Sequence, residues 1–193
     1  MKTVFVDVDT QLDFVLPSGA LYVPDAERIL PHVAQLNRWA EAHGIPVIST
    51  TDAHGESDAE FKTWPAHCVL GTLGQRKPDS TMLQRWSVVP SRASAFEVDG
   101  VQQFIVQKQV LDCFSNENLK KLLADLHAER YVVYGVVTEY CVRCAALGLL
   151  KTGAQVEVVT DAIETLKKDD GVRTLTEIQA AGGHCATVAG ICG

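Results

Sequence analysis

The chain has 193 residues, 47% of them hydrophobic, enough apolar material for one three-layer core and too little for two domains of ordinary size, so a single domain over 1–193 is expected. A formal net charge of -7, with no run of lysine or arginine, argues against nucleic acid or an anionic membrane as a partner. Neither a signal peptide nor a bilayer-spanning apolar stretch is legible, so a cytoplasmic protein is expected, with its six cysteines kept as thiols.

Thr3 to Phe14 begins as an apolar strand and delivers Asp9 near its C-terminal end. A carboxylate there can act as acid or base, although aspartate also commonly follows a strand to make a turn. Pro24-Asp25 opens a helix that runs to about Ala42 and closes at Gly44, with Pro31 marking a kink or a late start. Ile45 to Thr50 is the next strand, so Asp52 and His54 fall where it ends, and side chains two residues apart on an extended chain point the same way. In Trp64-Pro65-Ala66-His67-Cys68, His67 returns from the loop as a third group, and Glu60 is a candidate fourth. Two imidazoles and a carboxylate leave positions open on a metal, as catalytic sites do. The plainer reading makes Asp52 and His54 loop polars and His67 a capped loop histidine. Gly55 to about Ser87 is read as one irregular loop, and a loop this long in a compact domain is usually functional.

Phe104 to Lys108 reads as a buried strand ending in a cation, which is most often a solvated rim residue. A helix follows from about Asn116 to His127, and then a strand from Tyr131 runs directly into an alanine-rich helical stretch. Cys141 sits at that junction. A thiol at a helix N-terminus feels the positive end of the dipole, a nearby lysine would favour the thiolate further, and a carboxylate could take up and return the proton. Two other readings stand beside it: a free cysteine is commonly a small buried hydrophobe, and Cys141-Val142-Arg143-Cys144 has the spacing of a redox pair. Gln155 to Thr160 and His184 to Ala189 supply two more strands, separated by a helix from about Asp169 to Ala181. This alternation predicts an α/β fold, a three-layer α/β/α arrangement with a mainly parallel central sheet. Asp9, Asp52, Lys108 and Cys141 then all lie at strand C-termini, the side on which open α/β sheets bind ligands.

Four blocks in this order resemble the nicotinamidase (pyrazinamidase) branch of the isochorismatase-like cysteine hydrolases: Asp9-Thr10-Gln11-Leu12-Asp13-Phe14; Asp52 and His54 with Trp64-Pro65-x-His67-Cys68; Lys108 ahead of Phe114; and Gly135 to Val142. The resemblance implies an isochorismatase-like fold and a triad of Asp9, Lys108 and Cys141 acting on a small-molecule amide. It implies one divalent metal, zinc before iron or manganese, on Asp52, His54 and His67, with Glu60 where some relatives place a further ligand. An oxyanion hole of the Val137 and Cys141 backbone N–H groups is implied as well, presented by a non-proline cis peptide at Val136-Val137. The reaction would convert nicotinamide to nicotinate and ammonia through a thioester on Cys141, as in NAD salvage, with Phe14, Trp64 and Tyr140 flanking the ring. Homo-oligomers are compatible with it. The alternative within the superfamily is an amidase for carbamoyl, ureido or maleamate-type amides that does not anchor its substrate on metal. Ala53 and Gly55-Glu56-Ser57 depart from the family pattern around His54, which leaves the substrate less defined than the triad.

Overall fold

A computed structural model describes residues 1–193, built on one seven-stranded sheet. Its strands are β1 (Thr3–Val8), β2 (Val47–Asp52), β3 (Trp86–Val89), β4 (Gln103–Lys108), β5 (Arg130–Gly135), β6 (Gln155–Ile163) and β7 (His184–Ala186). They lie in the order β3-β4-β2-β1-β5-β6-β7, and every pairing is parallel. Six helices complete the layers: α1 (Leu12–Val15), α2 (Leu30–Ala42), α3 (Leu119–Leu126), α4 (Arg143–Leu150), α5 (Lys168–Ala180) and α6 (Val188–Cys192). None is long and apolar enough to cross a membrane.

The central strands are apolar on both faces because both are covered, as parallel sheets require. Val4, Val6 and Val8 enter one core with Leu122 of α3, Ala146 of α4 and Ile178 of α5. Phe5, between them, points the other way onto Val33 and Leu36 of α2 and Ile191 of α6. Register then sets the site. Val8 pairs with Thr50 and with Gly135, and Asp52 pairs with Lys108, so β1, β2, β4 and β5 end almost level.

Several elements differ from the sequence expectation, among them β6, which runs past Thr160 to Ile163. β3 lies at the end of what reads as loop, a four-residue edge strand in which only Val89 is buried, too short to carry a visible alternation. α2 starts late, at Leu30, after a 3-10 turn over Ala26–Ile29, with Pro31 in its first turn where the missing N–H costs nothing. α3 begins at Leu119 behind a separate turn over Cys113–Ser115. The last strand stops at Ala186, because Thr187 caps α6 by accepting from the Gly190 N–H at 3.2 Å.

Polar residues leaving β1 peg the long loop back onto the sheet. Lys77, buried, donates to Thr10 Oγ1 at 2.8 Å and pairs with the fully buried Asp7 at 3.1 Å. The Gln11 amide brackets the end of β2: its Nε2 donates to the Asp52 and Gln75 carbonyls, both at 2.8 Å, and its Oε1 accepts from the Asp52 N–H at 2.6 Å. Asp13 accepts from the Cys68 N–H at 2.7 Å, which fixes the turn beside His67. On the other side, Gly135 adopts φ 118°, and a Cβ there would lie 2.1 Å from the Val8 carbonyl oxygen. Glycine therefore lets the exit of β5 close onto the exit of β1.

Candidate active site

Lys108 is the hub. Its ammonium, fully buried at the end of β4, lies 2.8 Å from Asp9 Oδ2 and 3.5 Å from Cys141 Sγ, and it donates to Asp52 Oδ1. Asp9 takes a left-handed conformation at φ 48°, one that aspartate tolerates better than most side chains. Its Oδ1 accepts from Thr50 Oγ1 at 2.7 Å, and Asp9 and Cys141 line the same cavity. Cys141 comes from a π-helical turn over Thr138–Val142 that leads into α4. The peptide Val136-Val137 ahead of that turn is cis, and the Val137 N–H has no acceptor in the protein.

Charge follows burial here. Removal from water pushes the Asp9 carboxyl above its ordinary range, and Lys108 only partly opposes it. Burial also raises the Cys141 thiol well above the usual range, the lysine again opposing, with the Asp9 and Asp52 carboxylates adding to the rise. Desolvation and the two carboxylates thus oppose the help that the helix end and Lys108 give a thiolate. Lys108 goes the other way, since its burial is overcome by Asp52 and Asp9. The Asp52 carboxyl, buried as deeply, is held down at about 2 by Lys108 and His54.

Asp52 divides its two oxygens. Oδ1 faces Lys108, while Oδ2 lies 3.9 Å from His54 Nε2 and 4.0 Å from His67 Nε2. The far nitrogen of each ring is engaged: His54 Nδ1 meets Asp58 Oδ2 at 3.1 Å and His67 Nδ1 meets the Pro65 carbonyl at 2.7 Å. Both Nε2 atoms thus converge on one point, and that of His54 is buried with no hydrogen-bond partner. One donor atom each from Asp52, His54 and His67 falls within a 4.8 Å cluster, and Glu60 stands 4.0 Å from both imidazoles. An orphaned imidazole nitrogen, a shared carboxylate and outer partners that fix each ring are what a divalent metal needs. The donor set fits one.

Asp9 and Cys141, with Asp52 and His67, open into a single small cavity of about 60 Å³. Phe14, Trp64, Val137 and Tyr140 line it with Asp9, Asp52, His67 and Cys141. Trp64 and Tyr140 meet edge to face at 6.2 Å, and Phe14 packs against His67 at 5.4 Å. Of the residues singled out in the sequence, Asp9, Phe14, Asp52, Glu60, Trp64, His67, Val137, Tyr140 and Cys141 line this cavity, whereas Lys108 and His54 are buried against Asp52 and do not line it. Sequence reasoning missed Asp58, Gln11 and Thr50, which hold the first rank of groups in place. Only Asp58 carried a signal, as a carboxylate four residues after His54. Cys144 is a half-buried free thiol, as Cys141 is a buried one.

The Isochorismatase domain family matches residues 3–190, and the chain belongs to that family. Within it the likeness is to the nicotinamidase branch. The chain is 26% identical to an Escherichia coli nicotinamidase, over 94% of this chain and 93% of that one, and 25% identical to a Saccharomyces cerevisiae nicotinamidase, over 89% and 92%. It is also similar to the crystal structure of Pyrococcus horikoshii pyrazinamidase in complex with zinc: 29% identity, 97% of this chain and 99% of that one covered, TM-score 0.80.

Proposed function

We propose that this protein is a metal-dependent cysteine amidohydrolase that converts nicotinamide to nicotinate and ammonia. The observation that carries the reading is the sharing of Lys108: one buried ammonium reaches the Asp9 and Cys141 pair and, through Asp52, the donor cluster, so nucleophile and ligand anchor face one cavity. The cavity is small and mostly apolar, which suits a single aromatic ring bearing a carboxamide.

Cys141 Sγ attacks the amide carbonyl carbon as its proton passes to Asp9, whose raised carboxyl suits it to receive one. Lys108 holds the positive charge between thiolate and carboxylate during that transfer. The oxyanion is held by the Val137 and Cys141 backbone N–H groups. Collapse expels the amine, which leaves as ammonia with the proton from Asp9, and a thioester remains on Cys141. Asp9 then deprotonates water, which attacks the thioester, and the proton returns to sulfur as the acid departs. Asp52, His54 and His67, with Glu60 beside them, would hold the metal, for which zinc is the proposed ion. Bound there, it would supply a Lewis-acidic anchor for the ring nitrogen of a pyridine carboxamide. Phe14, Trp64 and Tyr140 confine the ring.

Ammonia release from nicotinamide and from benzamide, before and after exhaustive chelation, tests this. Expected are turnover of nicotinamide, poor turnover of benzamide, and loss of activity on chelation that is restored by added metal. Equal rates for the two amides, or undiminished activity without metal, would move the assignment to a metal-independent amidase acting on a carbamoyl or ureido-type amide.

A further inference from the structure

The segment between β6 and α5 reaches the cavity at one side chain, Leu166, which is 38% exposed on its outer side and lines the cavity on its inner side. Its position is set by the nucleophile turn. Glu139, two residues before Cys141, accepts from Thr165 Oγ1 at 2.6 Å, from the Leu166 N–H at 3.0 Å and from the Lys167 N–H at 3.1 Å. Thr138 tightens the same junction, since its N–H and its hydroxyl both donate to the Glu164 carbonyl at 2.8 Å. Behind the strap, Gly171 of α5 leaves room for Thr165: a Cβ there would come within 2.9 Å of Thr165 Oγ1. Three hydrogen bonds to one carboxylate in consecutive residues form a clamp rather than a chance contact, and a charged acceptor strengthens each.

We infer that Leu166 is a specificity-determining residue that sets the upper size of the substrate, and that Glu139 is the positioning residue that keeps it across the cavity mouth. The inference rests on the amide-hydrolysis reading above for its choice of substrates, though not for its geometry. Removing the leucine opens the part of the cavity wall that it forms. Releasing the clamp lets the strap withdraw with Leu166 still attached.

The test compares kcat/KM for nicotinamide with that for quinoline-3-carboxamide, which keeps the ring nitrogen and the amide and adds a fused ring. Alongside it, Cys141 is alkylated by iodoacetamide and by its N-naphthyl derivative. Labelling is read at the Cys141 peptide by mass spectrometry, because exposed Cys185 reacts as well. Leu166→Ala is expected to raise the bulky-to-small ratio at least about tenfold, the scale of discrimination a few buried carbons provide. Glu139→Ala is expected to move the ratio the same way and to raise KM for nicotinamide more than it lowers kcat. Glu139→Gln, which keeps an oxygen facing the Leu166 and Lys167 N–H groups, is expected to restore the native ratio. Unchanged ratios in Leu166→Ala by both readouts would overturn the inference. A parallel fall for every amide in Glu139→Ala, with ratios unchanged, would overturn the role of Glu139. If the native protein hydrolyses neither amide, the proposed function fails, and the alkylation ratio alone still decides whether Leu166 guards the mouth.

Discussion

Asp9 and Asp52 leave neighbouring parallel strands, are both buried, and both meet Lys108, yet their carboxyls are driven in opposite directions. The second contact of each makes the difference. Asp9 has only the Thr50 hydroxyl on its other oxygen, and burial outweighs Lys108 in raising its carboxyl. Asp52 turns its other oxygen toward two imidazoles, and His54 together with Lys108 keeps it ionised against the same burial. Under the proposed function, two aspartates on one lysine would thereby be separated into a proton carrier and a metal ligand, identical side chains given different roles by their surroundings.

The largest expected effect lies at the group that only the Asp9 side serves. Cys141→Ala should abolish ammonia release while fold and metal content stay native, and turnover above a trace would remove the thiol from the chemistry. Asp9→Asn comes next, with a fall of about 10² to 10⁴-fold in kcat and metal retained. Asp52→Asn should instead lose metal. Metal analysis and kcat measured on both variants would break the comparison if the two aspartates proved interchangeable.

On the metal side, His54→Ala should lose metal and raise KM strongly while Cys141 still reacts with iodoacetamide. Asp58→Ala, which frees His54 Nδ1, should weaken metal affinity by about 10 to 100-fold, readable by competition with a chromogenic chelator. The pH profile sharpens the contrast further. Because the Asp9 carboxyl is raised and must be ionised to take the thiol proton, kcat/KM should fall as pH drops through a value above about 4, the ordinary carboxylate range. An acid limb below that range would mean Asp9 is not the proton acceptor. The smallest effect belongs to Cys144→Ala, where near-native activity is expected. A loss approaching that of Cys141→Ala would revive a dithiol role.

Legibility in the sequence followed the range of the interaction. Asp9, Asp52 and Lys108 could be placed because each ends an apolar run, and strand ends gather at one edge of a parallel sheet whatever the strand order. His54 and His67 could be placed beside them by spacing. β3 could not be read, because its outward residues, Trp86 and Val88, are apolar and mask the alternation of a four-residue strand that is held by pairing with β4. The surroundings of Cys141 were half legible for a related reason: a helix end can be read locally, but the desolvation and the two carboxylates around the thiol arrive from β1 and β2.

Two kinds of fact therefore separate in this molecule. The alternation of apolar runs and amphipathic stretches, with chemical groups at the run ends, is written in the chain itself, because strand and helix periods are local properties of the backbone. The sign of each charge shift, the division of Asp52 between Lys108 and the imidazoles, and the Glu139 clamp on Leu166 were decided only by the tertiary structure. Glu139 and Leu166 lie 27 residues apart in the sequence and Asp52 and Lys108 56, yet they meet in the fold, and neither the distance nor the dielectric between such groups can be read along the chain.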